Sequence, residues 1–484
     1  MIRGLSIDQL HELLVSKKVT PLELTKEAIE LAKKDTNNAF EYIMENEAIE
    51  FASSLGEPEV DNPLWGIPFV IKDNMSTKNV PTTGSSNILK GYVPVFDATV
   101  VERLKAVKAI AIGKVTLDEL AMGGTGTSGH LGMTYNPWDR SHTRLVGGSS
   151  CGSAAATAEG IVPFALGSDT GDSTRKPASL AGLVGFKPSW GRISRFGLFP
   201  FSPSLDTVGI FARNVKDSAY VLNVLSGRDD RDSTSSNEPT CDYAKNIAKA
   251  SKSLRIAVIK EIYESIKDSD VLTSFDKTIN DLRNEGYVVE FVSIDHELLA
   301  SLFPTYFIIS CAEATSNNAN LDGIKFGPFY QGSTFEEVVT KARTAGFSEL
   351  IKRRFVIGSY ALMKENQKEL FLRAQKSRRR IVNSVNKVLS DYDFIYVPAA
   401  PSIAPKKDEA SDRLSSDYMI ADNHLVIANF AGLPSLTLPI GFKDGMPFGA
   451  NITGRAFEEE KVLQISYVIE QLTGLSNLVA KEEK

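Results

Sequence analysis

The amino-acid sequence predicts an α/β fold in which helices cover a β-sheet. Short apolar runs typical of buried strands alternate with helix-favouring segments along the chain, and this alternation is typical of layered α/β proteins. The chain has 484 residues, of which 42% are hydrophobic, so it can bury a large core. The most linker-like stretch, residues 229–240, is rich in Asp, Ser, Asn and Thr and is predicted to be a surface loop.

The first half of the chain carries clear element signals. Two short helices are predicted within residues 7–33, separated where Thr20 can cap a helix and Pro21 can begin the next one. Beyond them, the pattern predicts a strand, a helix, a strand, a helix and a strand at residues 66–73, 98–106, 109–114, 153–159 and 161–169.

The second half continues the alternation. Strands are predicted at residues 254–259, 287–292 and 393–398. The longest predicted helix covers residues 358–389, and a last helix covers residues 457–473.

Composition excludes several classes of protein. The net charge is −6 with a pI of about 5.6, which gives no strong electrostatic reason to bind nucleic acid. The three cysteines are widely spaced, and no HExxH motif occurs among the five histidines, so neither a disulfide framework nor a metal site is expected. The N-terminus lacks the apolar core of a signal peptide, and no apolar run is expected to span a membrane. These features predict a cytoplasmic protein.

A stretch rich in Gly and Ser, residues 147–178, is the candidate for chemistry. It reads GGSSCGSAAATAEGIVPFALGSDTGDSTRKPA and places Gly and Ser residues at both ends of a helix–strand unit. Glycines allow close backbone approach to a ligand, and backbone N–H groups before Ser173 could form an oxyanion hole. The alternative is two Gly-rich turns around a helix, with Ser149 or Ser150 as its N-cap.

A serine nucleophile needs a base. No histidine lies within the stretch, but Lys72 ends the predicted buried strand GIPFVIKD. Burial lowers the pKa of an ammonium group, so a buried Lys72 could be neutral and act as the base. The alternative for Lys72 alone is a strand-end lysine that reaches water.

Three motifs together resemble the amidase signature family of serine hydrolases: GIPFVIKDN, GGSSCGSAAA and GSDTGDSTRKPA. The resemblance implies a single α/β/α domain over residues 1–484, built on a large mixed sheet, with helices in about the first 60 residues packing on the core. It also implies a Ser–cis-Ser–Lys triad with Lys72 as base, Ser149 as the relay serine after a cis peptide bond, and Ser173 as nucleophile. The oxyanion would face the backbone N–H groups of Thr170, Gly171 and Asp172.

Further stretches resemble the glutaminase subunits of tRNA-dependent amidotransferases over nearly the whole chain. They read GKVTLDELAMGG, NPWD, GFKPSWGRISRFGLFPFSPSLDTVG and NFAGLPSLTLP. The resemblance implies that free glutamine is hydrolysed and that ammonia passes to the B subunit of such an enzyme, which uses ATP and Mg²⁺ to activate misacylated Glu-tRNA. The B subunit would also hold the tRNA, a small C subunit would brace the heterotrimer, and this chain would carry no cofactor.

Glutamine presents a carboxylate and an ammonium group to its binding site. A carboxylate favours an arginine partner and an ammonium favours an aspartate. By the resemblance, Arg354 binds the carboxylate, Asp422 binds the ammonium and Tyr306 forms a pocket wall. From the sequence alone, Arg354 could equally be a helix-surface charge and Tyr306 a core aromatic.

Three positions depart from the family pattern. Cys151 and Asp172 replace glycines, and Thr127 stands where an acidic residue is usual. A carboxylate beside the nucleophile would repel the oxyanion, so the Asp172 side chain is predicted to point away from it, toward Arg175 or Lys176. Cys151 is interpreted as a small residue in a tight turn rather than as a nucleophile.

Two other functions stay open from the sequence. One is a free-standing amidase that acts on small amides, and the other is a catalytically impaired scaffold subunit. The basic run at residues 376–380 is interpreted as a solvated helix face that could also touch a partner subunit.

Overall fold

The computed structural model describes residues 2–408 and 415–480. Within these residues, eleven strands form one sheet. The strands are β1 Phe40–Ile43, β2 Pro68–Lys72, β3 Ile110–Val115, β4 Phe164–Asp169, β5 Val184–Lys187, β6 Thr207–Ala212, β7 Arg255–Ile259, β8 Val288–Val292, β9 Phe394–Pro398, β10 Ser435–Lys443 and β11 Met446–Gly454.

Helices surround this sheet. They are α1 Ile7–Val15, α2 Pro21–Lys33, α3 Glu45–Ser54, α4 Thr99–Ala106, α5 Cys151–Ala158, α6 Arg175–Ala181, α7 Val215–Leu225, α8 Lys260–Ser265, α9 Ser269–Asn284, α10 His296–Ala300, α11 Leu302–Asn317, α12 Phe335–Gly346, α13 Glu349–Leu362, α14 Phe371–Asp391, α15 Ser416–Asn423, α16 Val426–Ala431 and α17 Glu459–Thr473.

The sheet is mixed, as predicted. Its strand order is β1-β3-β2-β4-β6-β5-β10-β11-β9-β7-β8. Strand β2 runs parallel to both β3 and β4, and β7 runs parallel to both β8 and β9, while the central pairs from β4 to β9 are antiparallel. The prediction of an α/β fold with a large mixed sheet is confirmed.

The N-terminal helices form where the sequence predicts them. Thr20 caps α2 by accepting a hydrogen bond from the backbone N–H of Glu23, whose side chain in turn binds the backbone N–H of Thr20. The apolar faces of α1 and α2 belong to the same hydrophobic cluster as the buried side chains of β2 and β4. The first helices therefore pack directly on the sheet.

The single long helix predicted for residues 358–389 is wrong, because two helices cover this region. Helix α13 ends at Leu362 and α14 begins at Phe371. Between them, the side chain of Asn366 donates to the carbonyl of Tyr360 at 3.1 Å, and its backbone N–H donates to the carbonyl of Met363 at 2.9 Å. Asparagine thus satisfies carbonyls at the helix end, although the sequence has neither Pro nor Gly there.

The expectation that no segment could span a membrane also needs correction. The helical segment His296–Asn320 has the length and, with a mean hydropathy of 1.4, the composition of a membrane-spanning helix. In the fold, α11 lies within this segment and packs against α13 and α14. Its apolar side chains, among them Ile309 and Cys311, are buried against these neighbours.

Candidate active site

The site forms at the carboxyl ends of two parallel strands. Strands β2 and β4 are neighbours in the sheet, with Ile71 opposite Leu166. Lys72 at the end of β2 therefore lies beside Ser168 near the end of β4, and the segments that follow the two strands meet at one edge. Crevices at the carboxyl ends of parallel strands are where α/β proteins commonly bind ligands.

Lys72 is fully buried among hydroxyl groups. Its Nζ lies 2.8 Å from the Oγ atoms of Ser149, Ser150 and Ser168. None of the described carboxylates lies within ion-pair distance of this nitrogen. Burial lowers the pKa of Lys72 to about 7, and the more distant carboxylates of Asp118, Asp169 and Asp206 only partly oppose this shift.

The neighbouring lysine on β3, Lys114, has a charged partner, which Lys72 lacks. Lys114 is as buried as Lys72, but its Nζ lies 3.0 Å from the carboxylate of Asp73 and 2.7 Å from the hydroxyl of Thr82. Lys72 has only hydroxyl partners. A neutral amine can donate two hydrogen bonds and accept one, which suits three hydroxyl groups.

Ser149, the predicted relay serine, is held by tightly packed backbone. The peptide bond between Gly148 and Ser149 is cis, as the resemblance implies. A side chain on Gly148 would clash, since a Cβ there would lie 2.0 Å from Oδ2 of Asp118. The backbone N–H of Asp118 donates to the carbonyl of Ser149 at 3.0 Å, which fixes the serine from the other side.

Asp118 also shapes the loop that covers Gly148. Its two carboxylate oxygens accept hydrogen bonds from four consecutive backbone N–H groups, at residues 125–128, and from the hydroxyl of Ser128. Thr127, one of the positions that depart from the family pattern, is exposed on this loop, and its hydroxyl lies 2.8 Å from that of Thr125. Its side chain therefore lies away from Lys72 and the serines.

Ser173 lies directly beside the serine pair. The backbone N–H of Ser150 donates to the carbonyl of Ser173 at 3.3 Å, and Ser173 is only 4% exposed. No described residue accepts a hydrogen bond from the backbone N–H groups of Thr170, Gly171 and Asp172. These donors are free to bind an oxygen atom of a substrate.

The charged side chains of Arg175 and Asp206 hold the loop between β4 and α6 in place. Arg175 binds both carboxylate oxygens of Asp169 and donates to the carbonyl of Gly171 at 2.8 Å. On the other side, the hydroxyl of Thr170 donates to Asp206 at 2.7 Å. The loop between β4 and α6 is thus anchored at both ends.

The Asp172 side chain points to Lys176, which confirms one of the two partners predicted for it. The carboxylate of Asp172 lies 2.8 Å from Nζ of Lys176, whereas Arg175 binds Asp169 instead. Lys176 also lies 3.0 Å from the carboxylate of Asp422, at the end of α15. The structure therefore joins the predicted ammonium-binding residue to the loop of Ser173.

Tyr306 and Arg354 come from helices α11 and α13. The ring of Tyr306 covers Gly171, where an added Cβ would lie 3.1 Å from two ring carbons. Burial raises the pKa of the Tyr306 hydroxyl, the Arg354 guanidinium opposes this shift, and the Asp172 carboxylate adds to it. Nε and Nη1 of Arg354 are buried and donate no hydrogen bond to a described residue.

Cys151 is a buried residue at the start of α5. Its sulfur lies 3.9 Å from the hydroxyl of Thr116, and its Cβ is 2.9 Å from where a Cβ on Gly126 would lie. Burial raises the pKa of the Cys151 thiol to about 12, with the Asp118 charge as a second cause. The thiol is therefore protonated at neutral pH and has no nucleophilic character.

Several residues of this site are not predicted from the sequence. Ser150 and Ser168 contact Lys72 as closely as Ser149 does, and Asn74 donates to the hydroxyl of Ser168 at 3.0 Å. Ser150 stands next to Ser149 in the motif, but the motif alone indicates only a helix cap for it. Nothing in the local sequence indicates Ser168, because its contact depends on the pairing of β2 with β4.

Comparison with known proteins places this site in a family. The family profile for amidases matches residues 22–463. The chain is 40% identical to the A subunit of glutamyl-tRNA(Gln) amidotransferase from Streptococcus mutans, over 97% of this chain and 96% of that protein. It is also 40% identical to the A subunit from Oenococcus oeni, over 96% of each chain. A crystal structure of such an A subunit from Thermotoga maritima has 36% identity and a TM-score of 0.79, over 97% of this chain and 95% of that one. The chain belongs to the amidase family.

Proposed function

We propose that this chain is the glutaminase subunit of a glutamyl-tRNA(Gln) amidotransferase. It hydrolyses glutamine to glutamate and ammonia, and a partner subunit uses the ammonia to convert Glu-tRNA(Gln) to Gln-tRNA(Gln). The observation that carries the proposal is the buried amine of Lys72, 2.8 Å from three hydroxyl groups and beside the Ser173 loop. The names of the relatives with 40% identity over nearly the whole chain agree with it.

The proposed reaction begins with proton transfer. Neutral Lys72 takes a proton through Ser149 from the Ser173 hydroxyl, and the Ser173 oxygen attacks the side-chain amide carbon of glutamine. The proton returns through Ser149 to the departing nitrogen, so ammonia leaves and a glutamyl ester remains on Ser173. Water then attacks the ester carbonyl with the same groups as base and acid, which releases glutamate.

The negative oxygen of each tetrahedral intermediate needs donors that are already in place. The backbone N–H groups of Thr170, Gly171 and Asp172 suit this role, because no described residue uses them. The ion pair between Asp172 and Lys176 directs the carboxylate of Asp172 toward a positive charge. The loop can then stabilise an oxyanion although it carries an acidic residue.

The proposed substrate contacts follow the two charges of glutamine. Arg354 binds the α-carboxylate through N–H groups that lack a described partner, and Tyr306 forms the wall of the pocket over Gly171. Asp422 binds the α-ammonium group. Its carboxylate is 32% exposed, and only one of its oxygens contacts Lys176.

The proposal includes the partners that the sequence predicts. The B and C subunits of the amidotransferase complete a cytoplasmic heterotrimer, and the B subunit holds most of the misacylated Glu-tRNA together with ATP and Mg²⁺. The chain itself needs no cofactor for the proposed hydrolysis, since its base, relay, nucleophile and oxyanion donors are protein groups.

Ammonia release from glutamine by the assembled complex tests the function, with Ser173→Ala as the matched variant. We expect release by the unaltered complex and loss to background in the variant. Unchanged release with Ser173→Ala would remove the catalytic role and leave a scaffold subunit. Release by the isolated chain that neither partner subunits nor Glu-tRNA alter would favour a free-standing amidase.

A further inference from the structure

Lys176 connects two carboxylates at the edge of the proposed site. Its Nζ lies 2.8 Å from the carboxylate of Asp172, 3.0 Å from the carboxylate of Asp422 and 2.6 Å from the backbone carbonyl of Asp422. Lys176 donates hydrogen bonds to the two acceptors of Asp422 and forms an ion pair with Asp172. Lys176 is thereby held in position, with its side chain 11% exposed.

The arrangement poses a problem for the binding of an ammonium group. An aspartate that is already paired with a lysine forms a neutral pair, which attracts a second cation weakly. Asp172 supplies the missing charge, because two carboxylates and one ammonium give the cluster a net charge of −1. Burial alone would lower the pKa of Lys176, but the carboxylates of Asp172 and Asp422 raise it above its usual value, so the lysine stays charged. Burial raises the pKa of Asp172, and the Lys176 ammonium opposes this shift.

Both carboxylates keep acceptor capacity for a ligand. Lys176 contacts one oxygen of each carboxylate, and no described residue donates to the other oxygen of Asp172 or of Asp422. The side chains of Asp172 and Asp422 are 19% and 32% exposed, so solvent-borne groups can reach them. A primary ammonium group has enough donors to bind both free oxygens at once.

The cluster of Asp172, Lys176 and Asp422 also lies close to the proposed nucleophile, where a bound substrate can reach it. Asp172 immediately precedes Ser173, and the ring of Tyr306 covers the neighbouring Gly171, where an added Cβ would lie 3.1 Å from two ring carbons. The site therefore offers a net negative cluster and a positive guanidinium that both act electrostatically on one tyrosine. A zwitterionic α-amino acid matches this pair of charges.

We propose that Asp172 and Lys176 are specificity-determining residues that, together with Asp422, form a composite site for the α-ammonium group of an amino-acid amide. Lys176 holds the two carboxylates together, and Asp172 restores the negative charge that Lys176 removes from Asp422. This inference rests on the proposed function, because it assigns substrate selection at the same site.

The test separates ammonium recognition from the rest of binding. It uses the full chain assembled with its partner subunits and compares KM for L-glutamine with the inhibition constant of 4-carbamoylbutanoate, which is glutamine without the amino group. With Asp172→Asn, the cluster becomes neutral. We expect KM for glutamine to rise about tenfold or more, which is typical of losing one charged hydrogen-bond partner, while the inhibition constant stays within about twofold.

Two further variants test the charge balance. In Asp172→Asn/Lys176→Gln, only Asp422 is charged and the net charge is again −1, so KM for glutamine should return to within about threefold of the unaltered value. In Lys176→Gln alone, both carboxylates stay but Asp172 loses its cation. We expect kcat to fall by about tenfold or more, since the carboxylate then repels the oxyanion, while KM for glutamine does not rise.

Several results would overturn the inference. They are a parallel rise in KM and in the inhibition constant, additive losses in the double variant, or unchanged KM in Asp172→Asn. Asp172→Gly, which places the usual family residue there, is a second neutral variant, and a large gain in its turnover would also contradict the inference. Failure of the unaltered complex to hydrolyse glutamine would instead overturn the proposed function itself. Binding of 4-carbamoylbutanoate is the control that each variant retains a folded pocket.

Discussion

At the scale of single residues, the environment of Lys72 sets the pH dependence of the site. Burial lowers the pKa of this lysine to about 7, and the neutral form is the one that can accept a proton from serine. We expect kcat/KM for glutamine to rise as the pH increases through about 7 and to level off above it. A pH profile of ammonia release by the complex measures this, and a profile without an inflection near neutrality would contradict it.

The same lysine affects stability. Between about pH 7 and pH 10.5, Lys72 is charged in the unfolded chain and neutral in the folded one, so the unfolded state binds more protons and stability rises with pH. Below about pH 7, Lys72 is protonated in both the folded and the unfolded chain, so the full cost of burying its charge lowers the free energy of unfolding. For a pKa shift of this size, that cost is on the order of 4–5 kcal/mol.

Lys72→Met should therefore abolish ammonia release and stabilise the fold. The gain in the free energy of unfolding should be largest below about pH 7 and should shrink as the pH rises toward 10.5. Urea denaturation of both proteins across this range measures the difference. A gain that is independent of pH would show that Lys72 is not neutral in the folded chain.

Cys151 stands in the motif beside Ser149, the proposed relay serine, and we interpret it as a packing residue. It is 1% exposed, and burial raises the pKa of its thiol to about 12. We expect Cys151→Ala to keep ammonia release within about threefold, because only packing changes. Iodoacetamide should leave activity intact, and any labelling should be confined to the exposed Cys241 and be slow at neutral pH, because burial raises the pKa of that thiol to about 11. Cys241→Ser is the matched control. Inactivation that Cys151→Ala prevents would contradict this interpretation.

At the scale of elements, the loop at residues 123–129 shows how one side chain can define a local structure. Asp118 accepts hydrogen bonds from four backbone N–H groups of this loop and lies against Gly148. Asp118→Asn keeps the volume but replaces one acceptor oxygen with a donor, so the bonds to that oxygen are lost.

We expect Asp118→Asn to lower kcat by up to about a hundredfold, because small displacements of the Ser149 backbone misalign the proton relay. Thr127→Ala is the matched control on the same loop, since its exposed hydroxyl contacts only Thr125 among the described residues, and it should leave kcat nearly unchanged. Steady-state glutamine hydrolysis measures both. Equal losses in the two variants would show that the loop matters as a whole and not through Asp118.

The elements also show how far the sequence predicts the structure. Strands β2 and β4 are predictable because each is a continuous apolar run, and α2 because Thr20 and Pro21 mark its start. The hairpin of β10 and β11 is not predicted, although Asp444 and Gly445 both have positive φ and supply the turn signal. The gap between α13 and α14 has no such signal, because an asparagine side chain ends the helix.

The residues of the candidate site also divide into those that the sequence predicts and those that it does not. The motifs predict Lys72, Ser149 and Ser173 as the candidate triad, since each lies in a local pattern. Ser168 could not be predicted, because it lies 96 residues from Lys72 and their contact exists only through the parallel pairing of two strands. The link of Lys176 to Asp422 is likewise a property of the folded chain, because 246 residues separate the two.

At the scale of the whole molecule, Arg175 joins distant parts of the chain. Its guanidinium is fully buried and donates to Asp169 on β4, to the carbonyl of Leu425, to Asn429 on α16 and to Ser435 on β10. Burial alone would raise the pKa of Asp169, but Arg175 holds the pKa of this carboxyl down to about 2. The pair is a charged contact inside the core.

Arg175→Met should destabilise the whole fold by roughly 3–5 kcal/mol, because it leaves the buried Asp169 carboxylate without its cation. Arg379→Met removes an exposed arginine from α14 and should change stability by less than about 0.5 kcal/mol. Urea denaturation gives both values. A small effect of Arg175→Met would show that Asn429 and water compensate for the lost guanidinium.

The order of the site residues along the chain has a consequence for how the substrate range can change. The proposed triad residues all precede β5, whereas the proposed substrate contacts Tyr306, Arg354 and Asp422 come from helices α11, α13 and α15 in the second half of the chain. Mutations in those helices can therefore replace the groups that meet the substrate while the proton relay keeps its geometry. The chain is organised so that these three contacts can evolve separately from the bond-breaking chemistry, whereas the proposed roles of Asp172 and Lys176 tie ammonium recognition to the Ser173 loop.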